Sequence, residues 1–217
     1  MAGFPTLIIM VKAPRIGAVK TRLAREVGMA EAWRAYRTAS TNLARRLAAD
    51  ARWRTMLAVT PDEALDAAFW PRGLARIAQG PGDLGARMQR LLQRFAPGPT
   101  VIVGSDIPAL LPAHIAAAFR ALHRAGLVFG PAADGGYWLI GARGLVRARR
   151  LFEKVRWSSP HALQDTLENA RGLEVALIGE LEDLDDAAAH RRWRGRLGRL
   201  HVSFDRGRAE RGTPRRR

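Results

Sequence analysis

Short apolar runs recur along this chain at residues 6–11, 55–59, 100–103, 127–129, 137–140 and 174–178, most of them rich in Val, Ile, Leu or Phe. Apolar side chains at consecutive positions over so few residues predict strands buried on both faces. Most are separated by longer stretches with apolar residues three and four apart, which predict helices over about 19–27, 30–49, 84–94, 112–124, 160–170 and 186–197. The alternation predicts βαβ units and a largely parallel sheet. The helix at 112–124 has both ends marked, by Pro112 in the first turn and Gly126 past the last periodic residue, and Ile115, Phe119 and Leu122 form its buried stripe. The long helix at 30–49 is rich in alanine, leucine and arginine, which suits a crossover helix with a solvated basic face and no chemistry of its own. No internal repeat is visible.

In an open parallel sheet, ligands bind beyond the carboxyl ends of the strands, and the polar constellations fall there. The first strand runs into a Pro/Gly loop carrying Lys12, Arg15, Gly17, Lys20, Thr21 and Arg22. The chain has 36 basic residues but only three lysines, and two of them, Lys12 and Lys20, sit in this loop. A flexible point charge is wanted there rather than a planar guanidinium. Gly17 lets backbone approach a ligand, and a helix opening near Ala18 would present free N–H groups to an anion. The loop is not a Walker A motif, because Val19 stands where that motif needs glycine.

After the third run comes Ser105-Asp106-Ile107-Pro108. A strand-end carboxylate facing phosphates suits a hard cation, Mg²⁺ or Mn²⁺; the competing structural role is to cap the turn before Pro112. Gln79 to Met88 is a glycine-rich loop entering a helix, where Gln79 and backbone amides could meet a base edge and Arg87 a phosphate. Asp134-Gly135-Gly136-Tyr137-Trp138 offers a carboxylate that binds an acceptor or acts as a base, and an aromatic face for a ring. A tight turn with a core tryptophan accounts for the same letters. Asp185, just before the last helix, is either an N-cap or a second metal-facing carboxylate.

Charge and composition narrow the classes. Of the net charge of +16, more than half falls after residue 189, where 11 arginines face only Asp205 and Glu210. Nucleic acid is therefore not the expected partner, and residues 201–217 are expected to be a basic, poorly ordered tail that is solubilising or makes nonspecific polyanion contacts. The absence of cysteine excludes disulfides, thiolate metal sites and cysteine nucleophiles. His114, His123, His161, His190 and His201 show no metal-binding spacing, and no Gly-x-Ser-x-Gly elbow supports a hydrolase. With no apolar run long enough to span a bilayer and no secretory leader, a cytoplasmic protein is expected.

The chain resembles the GT-A nucleotide-diphospho-sugar transferase superfamily, most closely the bacterial glycosyltransferase-like, or selenodomain-associated transferase, family. Five blocks in order carry the resemblance: Lys12 to Leu23, Gln79 to Met88, Gly104 to Pro108, Gly130 to Trp138, and Asp183 to Asp185. Phospholactate and molybdenum-cofactor guanylyltransferases look like more distant relatives. The resemblance implies one Rossmann-like three-layer α/β/α domain over 1–200 with a mostly parallel mixed sheet. It implies a nucleotide held by Lys12, Gly17, Lys20, Thr21 and Arg22 of the first loop and by Gln79, Gly82, Asp83, Gly85 and Arg87 of the second. A divalent metal is implied at Asp106, with Asp185 as second ligand, and reaction roles fall to Lys20, Asp106 and Asp134. The basic extension is not part of the family pattern.

Two reactions fit one pocket. In nucleotidyl transfer an acceptor phosphate attacks the α-phosphorus of a nucleoside triphosphate while Lys20 and Arg22 stabilise departing pyrophosphate. In glycosyl transfer a small acceptor attacks the anomeric carbon of a nucleotide-sugar. A reading from another class is a non-catalytic nucleotide- or polyanion-binding module on the same fold. The sequence sets neither the base nor the oligomeric state.

Overall fold

Thr6–Lys12 (β1) is the strand about which the sheet is laid: its apolar side chains are buried on both faces and it pairs in parallel with a strand on either side. The computed structural model describes residues 3–95, 97–144, 150–181, 184 and 186–194. The basic tail at 201–217 and the carboxylates Asp183 and Asp185 lie outside the described residues.

Seven described strands form one sheet: β1, Arg54–Thr60 (β2), Ala75–Ala78 (β3), Thr100–Gly104 (β4), Leu127–Pro131 (β5), Tyr137–Ala142 (β6) and Val175–Leu177 (β7), in the order β3-β2-β1-β4-β6-β5-β7. Every pairing is parallel except the two made by β6, which returns as a hairpin from β5 and fills the place between β5 and β4. The mostly parallel mixed α/β sheet is the expected one. The loop joining β5 to β6 is thereby brought to the edge of the sheet where β1 and β4 end. β3 is the strand the sequence did not mark, since only Ile77 among its four residues is a large buried apolar side chain. It pairs with β2 alone, at the edge.

Alternation along β1 divides the core. Leu7, Ile9 and Val11 cluster with Leu43 and Leu47 of Met29–Ala48 (α2) and with Ile115 and Phe119 of Pro112–Ala121 (α4). Ile8 clusters with Met88, Leu91 and Leu92 of Leu84–Arg94 (α3), and Leu163 and Leu167 of Ala162–Asn169 (α5) pack on the same cluster. Each such leucine contributes roughly 1.5–3 kcal/mol by burial. These two helical layers enclose the sheet as the three-layer expectation requires.

A third, smaller cluster joins Leu23 of Thr21–Val27 (α1) and Ala32, Ala35 and Ala39 of α2 to Leu184, Ala187 and Ala189. The helical stretch 187–194 (α6) is capped by Asp186, whose Oδ1 accepts from Ala189 N–H at 2.7 Å. His190 on α6 is 3% exposed, with Nε2 3.5 Å from Glu31 Oε1. Burial pushes its pKa down from 6.5, and the Glu31 carboxylate only partly opposes that. A histidine kept neutral when folded stabilises above its ordinary pKa and loses that contribution as pH falls through it. Urea midpoints of the wild type should therefore fall below pH 6.5, and His190→Gln should flatten that acid limb while leaving the neutral region within about 1 kcal/mol.

Candidate functional site

At the carboxyl ends of β1 and β4 lies a cavity of about 480 Å³. Its wall includes Lys12, Lys20, Thr21 and Arg22 from the first loop, Gln79 and Arg87 from the second, and Ser105 and Asp106 from the end of β4. Seven of the expected site residues thus line one space, although their sequence positions span almost a hundred residues.

At its floor, Lys20 Nζ donates to Asp106 Oδ2 at 2.5 Å. The lysine side chain is 7% exposed and the aspartate 32%. Lys20 stands at the N-cap position of α1, where Ser, Thr, Asp or Asn is usual, and its backbone is left-handed (φ 48°, ψ 48°) with no side-chain cap. Such a conformation is costly for a residue with a Cβ and persists only where its surroundings fix it. The helix therefore begins two residues later than the pattern suggested, and Lys20 is turned off the helix axis toward β4. On the other strand end, a Cβ on Gly104 would meet Asp106 Oδ1 at 3.1 Å, so glycine leaves room for the carboxylate to fold back beside the strand. Asp106 does not cap α4: Leu111 N–H at that helix start donates to His114 Nδ1 at 3.0 Å instead. Leu184 N–H donates to the Asp106 carbonyl at 2.9 Å, which brings the chain just before Asp185 to this loop.

The helix to which the sequence assigned no chemistry holds the loop in place. Tyr36 of α2 accepts from Lys12 N–H at 2.8 Å, and its hydroxyl also lies 3.0 Å from the Lys12 carbonyl and 3.2 Å from Ser105 Oγ. Burial raises the Tyr36 pKa above 10, with the Ser105 contact working the other way, so the hydroxyl stays protonated. One turn away, Trp33 Nε1 donates to the Pro14 carbonyl at 2.6 Å. The signal was an aromatic pair three residues apart on an otherwise alanine- and arginine-rich helix.

Other expected residues have structural occupations. Gln79 is 3% exposed and its amide nitrogen donates to the carbonyls of Ala58 and Val11, bridging β2 and β1 rather than offering donors to a base. Asp83 caps α3 through Ala86 N–H at 2.8 Å and does not line the cavity. Neither do Gly17, Gly82 and Gly85. Gly17 and Gly82 supply left-handed turns, and Gly85 lets α3 press on Phe152 and Trp157, which its Cβ would meet at 2.7 and 2.9 Å. Arg87 donates to the Gly82 carbonyl and to Thr60 Oγ1, which aims it across the cavity mouth. Arg15 points away, 3.9 Å from Glu63.

Asp134 lines a second cavity, of about 290 Å³, which shares Met10, Leu84 and Gly104 with the first. Its Oδ1 accepts from Gly136 N–H at 3.0 Å in a tight turn. Trp138 is the core tryptophan, 4% exposed, its ring packed on Gly130 where a Cβ would collide with it, and its indole N–H on the Gly179 carbonyl at 3.1 Å. Asp185, expected as metal ligand or N-cap, lies outside the described residues; the capping role belongs to Asp186. No helix among the described residues is long and apolar enough to cross a membrane.

Residues 42–159 match the protein family described as "Uncharacterized protein conserved in bacteria (DUF2064)". No curated protein matches the chain. A solved protein from Desulfovibrio desulfuricans G20, provisionally described as a nucleotide-diphospho-sugar transferase, is 30% identical over 85% of this chain and 83% of its own, with a TM-score of 0.74. CMP:2-keto-3-deoxy-manno-octonic acid synthetase, solved with CTP, shares the fold at 12% identity (TM-score 0.54; 90% of this chain, 99% of that one). So does the Mycobacterium tuberculosis H37Rv protein Rv0371C, solved with manganese, at 17% identity (TM-score 0.54; 89% and 98%).

Asp106→Asn should remove the carboxylate charge that Lys20 Nζ contacts at the strand end. Destabilisation of about 1–3 kcal/mol is expected, less than for a fully buried pair because Asp106 is partly solvated. Tyr36→Phe should cost about 1 kcal/mol through the Lys12 N–H it orphans. Urea denaturation at neutral pH checks both.

Proposed function

This chain is a member of the DUF2064 family, and from that premise we propose that it is a metal-dependent transferase whose first cavity holds the phosphates of a nucleoside triphosphate or nucleotide-diphospho-sugar. The carrying observation is the Lys20–Asp106 contact in a cavity whose other charged lining residues are Lys12, Arg22 and Arg87. A pure anion-binding pocket gains nothing from a carboxylate at its centre. A cavity that receives a polyphosphate together with a cation does.

The donor set suits a shared cation rather than a protein-only site. Asp106 is the only carboxylate lining the cavity among the described residues, and no group of three or more candidate ligands occurs among them. Mg²⁺ is commonly held by one or two carboxylates and completed by substrate phosphates and water, which this arrangement fits. Asp106 would hold it, with Asp185 as second ligand. Such a cation supplies charge neutralisation across the phosphates at the bond that breaks. Lys20, released from Asp106, would turn its ammonium to the departing phosphate oxygens, and Arg22, Lys12 and Arg87 would hold the outer ones. Thr21 would offer a hydroxyl to the same chain. The Tyr36 bridge keeps Lys12 and Ser105, hence the ends of β1 and β4, in fixed relation while charges change hands.

Thermal shifts with each nucleoside triphosphate and several nucleotide-sugars, with and without Mg²⁺, test the reading on wild type and Asp106→Ala. Stabilisation is expected only with nucleotide and Mg²⁺ together, and it should vanish in Asp106→Ala. Stabilisation indifferent to both metal and Asp106 would instead identify a binding module. Lys20→Ala should weaken a triphosphate by about 1.5–3 kcal/mol while leaving the nucleoside nearly unchanged. Release of pyrophosphate or of nucleoside diphosphate from a mixed pool of metabolites then distinguishes nucleotidyl from glycosyl transfer.

A further inference from the structure

The second cavity differs from the first in one respect that composition makes conspicuous. In a chain with 36 lysines and arginines, none lines it among the described residues, nor does any histidine. Its charged group is Asp134, at the rim, with Ser158 and Ser159 beside it. The walls are Met88, Ile102 and Leu139 with the rings of Tyr137 and Trp157. The two cavities adjoin across Met10, Leu84 and Gly104.

Resting on the transferase reading above, we propose that this second cavity is the acceptor site, and that the acceptor is an uncharged ring or polyol presenting a hydroxyl to Asp134, not a phosphate ester. A phosphate dianion placed here would lose its hydration against methionine, leucine and indole walls, gain no countercharge, and face a carboxylate. A hydroxyl donates to that carboxylate, and the C–H face of a ring packs on Tyr137 and Trp157. The volume, about 290 Å³, is at the small end for ligand pockets and suits a compact molecule. Trp157 Nε1, buried in the wall, has no acceptor among the described residues, and a ligand oxygen entering beside it would satisfy that donor.

The rim is built rather than loose. Gly135 has a left-handed backbone (φ 83°) pressed so tightly on Pro160 that a Cβ would collide with the Pro160 carbonyl, and Leu163 N–H donates to the Gly135 carbonyl at 3.0 Å. Ser158 itself is left-handed (φ 58°), a conformation that non-glycine residues adopt where surroundings over-determine it, as at ligand clamps. Asp134 is thus held against the 158–163 segment by backbone contacts and makes no ion pair among the described residues.

A hydroxyl acceptor, unlike a phosphate, arrives with a proton to lose. Its oxygen forms the new bond to the α-phosphorus of a triphosphate, or to the anomeric carbon of a nucleotide-sugar. The bond from that atom to the bridging oxygen breaks, and the electron pair leaves with pyrophosphate or nucleoside diphosphate. The proton passes to the Asp134 carboxylate and then to solvent. Both forms of the reaction use the same two cavities.

Ligand-detected NMR with matched neutral and phosphorylated pairs (glucose and glucose 1-phosphate, glycerol and glycerol 3-phosphate, inositol and inositol 1-phosphate, 4-hydroxybenzyl alcohol and its phosphate) tests this on the full chain. At least one neutral member should bind, roughly tenfold or more tightly than its phosphate. Asp134→Asn keeps the turn, because Asn Oδ1 can still accept from Gly136 N–H, so it should fold as wild type. It should weaken the neutral probe and narrow the preference. Binding of no neutral member, a phosphorylated member preferred in any pair, or a preference untouched by Asp134→Asn overturns the proposal. The same samples titrated with triphosphate and Mg²⁺ report the parent reading separately: loss of nucleotide binding with neutral probes still bound sinks the transferase, and the reverse sinks only the acceptor class.

Discussion

Everything at the functional edge is organised by one contact, the ammonium of Lys20 against the carboxylate of Asp106. It joins the loop after β1 to the loop after β4, two adjacent parallel strands whose register sets Met10 opposite Gly104. To make it, Lys20 gives up a helical backbone, α1 starts without a side-chain cap, and Gly104 goes without a Cβ. Local preference has been set aside in three places for the sake of one polar contact. Concessions of that kind gather where a site must be rigid before its ligand arrives.

Around that contact the molecule separates its charges. The first cavity collects Lys12, Lys20, Arg22 and Arg87; the second, a leucine and a methionine away, has a carboxylate and aromatic walls. On the proposed transferase reading, a polyphosphate would be drawn to one side of the partition and repelled from the other, so the two halves of the reaction would be sorted by electrostatics before any shape is tested. More than half of the net charge of +16 lies in the sequence after residue 189, whereas the cations that line the first cavity come from residues 12–87.

The scaffold of the site is made of side chains that hold its loops by hydrogen bonds to backbone. Gln79 stitches β2 to β1, Arg90 donates to the carbonyls of Gln79 and Pro81, and Trp33 and Tyr36 pin the start of the first loop, at Pro14 and Lys12, to α2. Removing any one would take a hydrogen bond from the backbone it holds, which is how such residues shape a site. Gly85 belongs with them, because it permits α3 to approach Trp157, a wall of the second cavity.

The periodicity of apolar residues sufficed for six of the seven described strands, for all the major helices and for the parallel character of the sheet, because burial on one or two faces leaves its mark in consecutive letters. It also sufficed to place Lys12, Lys20, Asp106 and Asp134 at the ends of strands or in the loops that follow them, where polar residues have few other duties. β3 escaped, since an edge strand with one buried side chain carries almost no pattern. What each polar residue does was decided only in three dimensions. Gln79, Asp83 and Arg87 are close in sequence, yet Gln79 bridges strands from the cavity wall, Asp83 caps a helix away from it, and Arg87 reaches it from inside that helix. Tyr36 on a helix without apparent chemistry became the hinge pin of the site. A hydrogen bond depends on where its partner lies, and for these residues the partners come from segments brought close by the sheet alone.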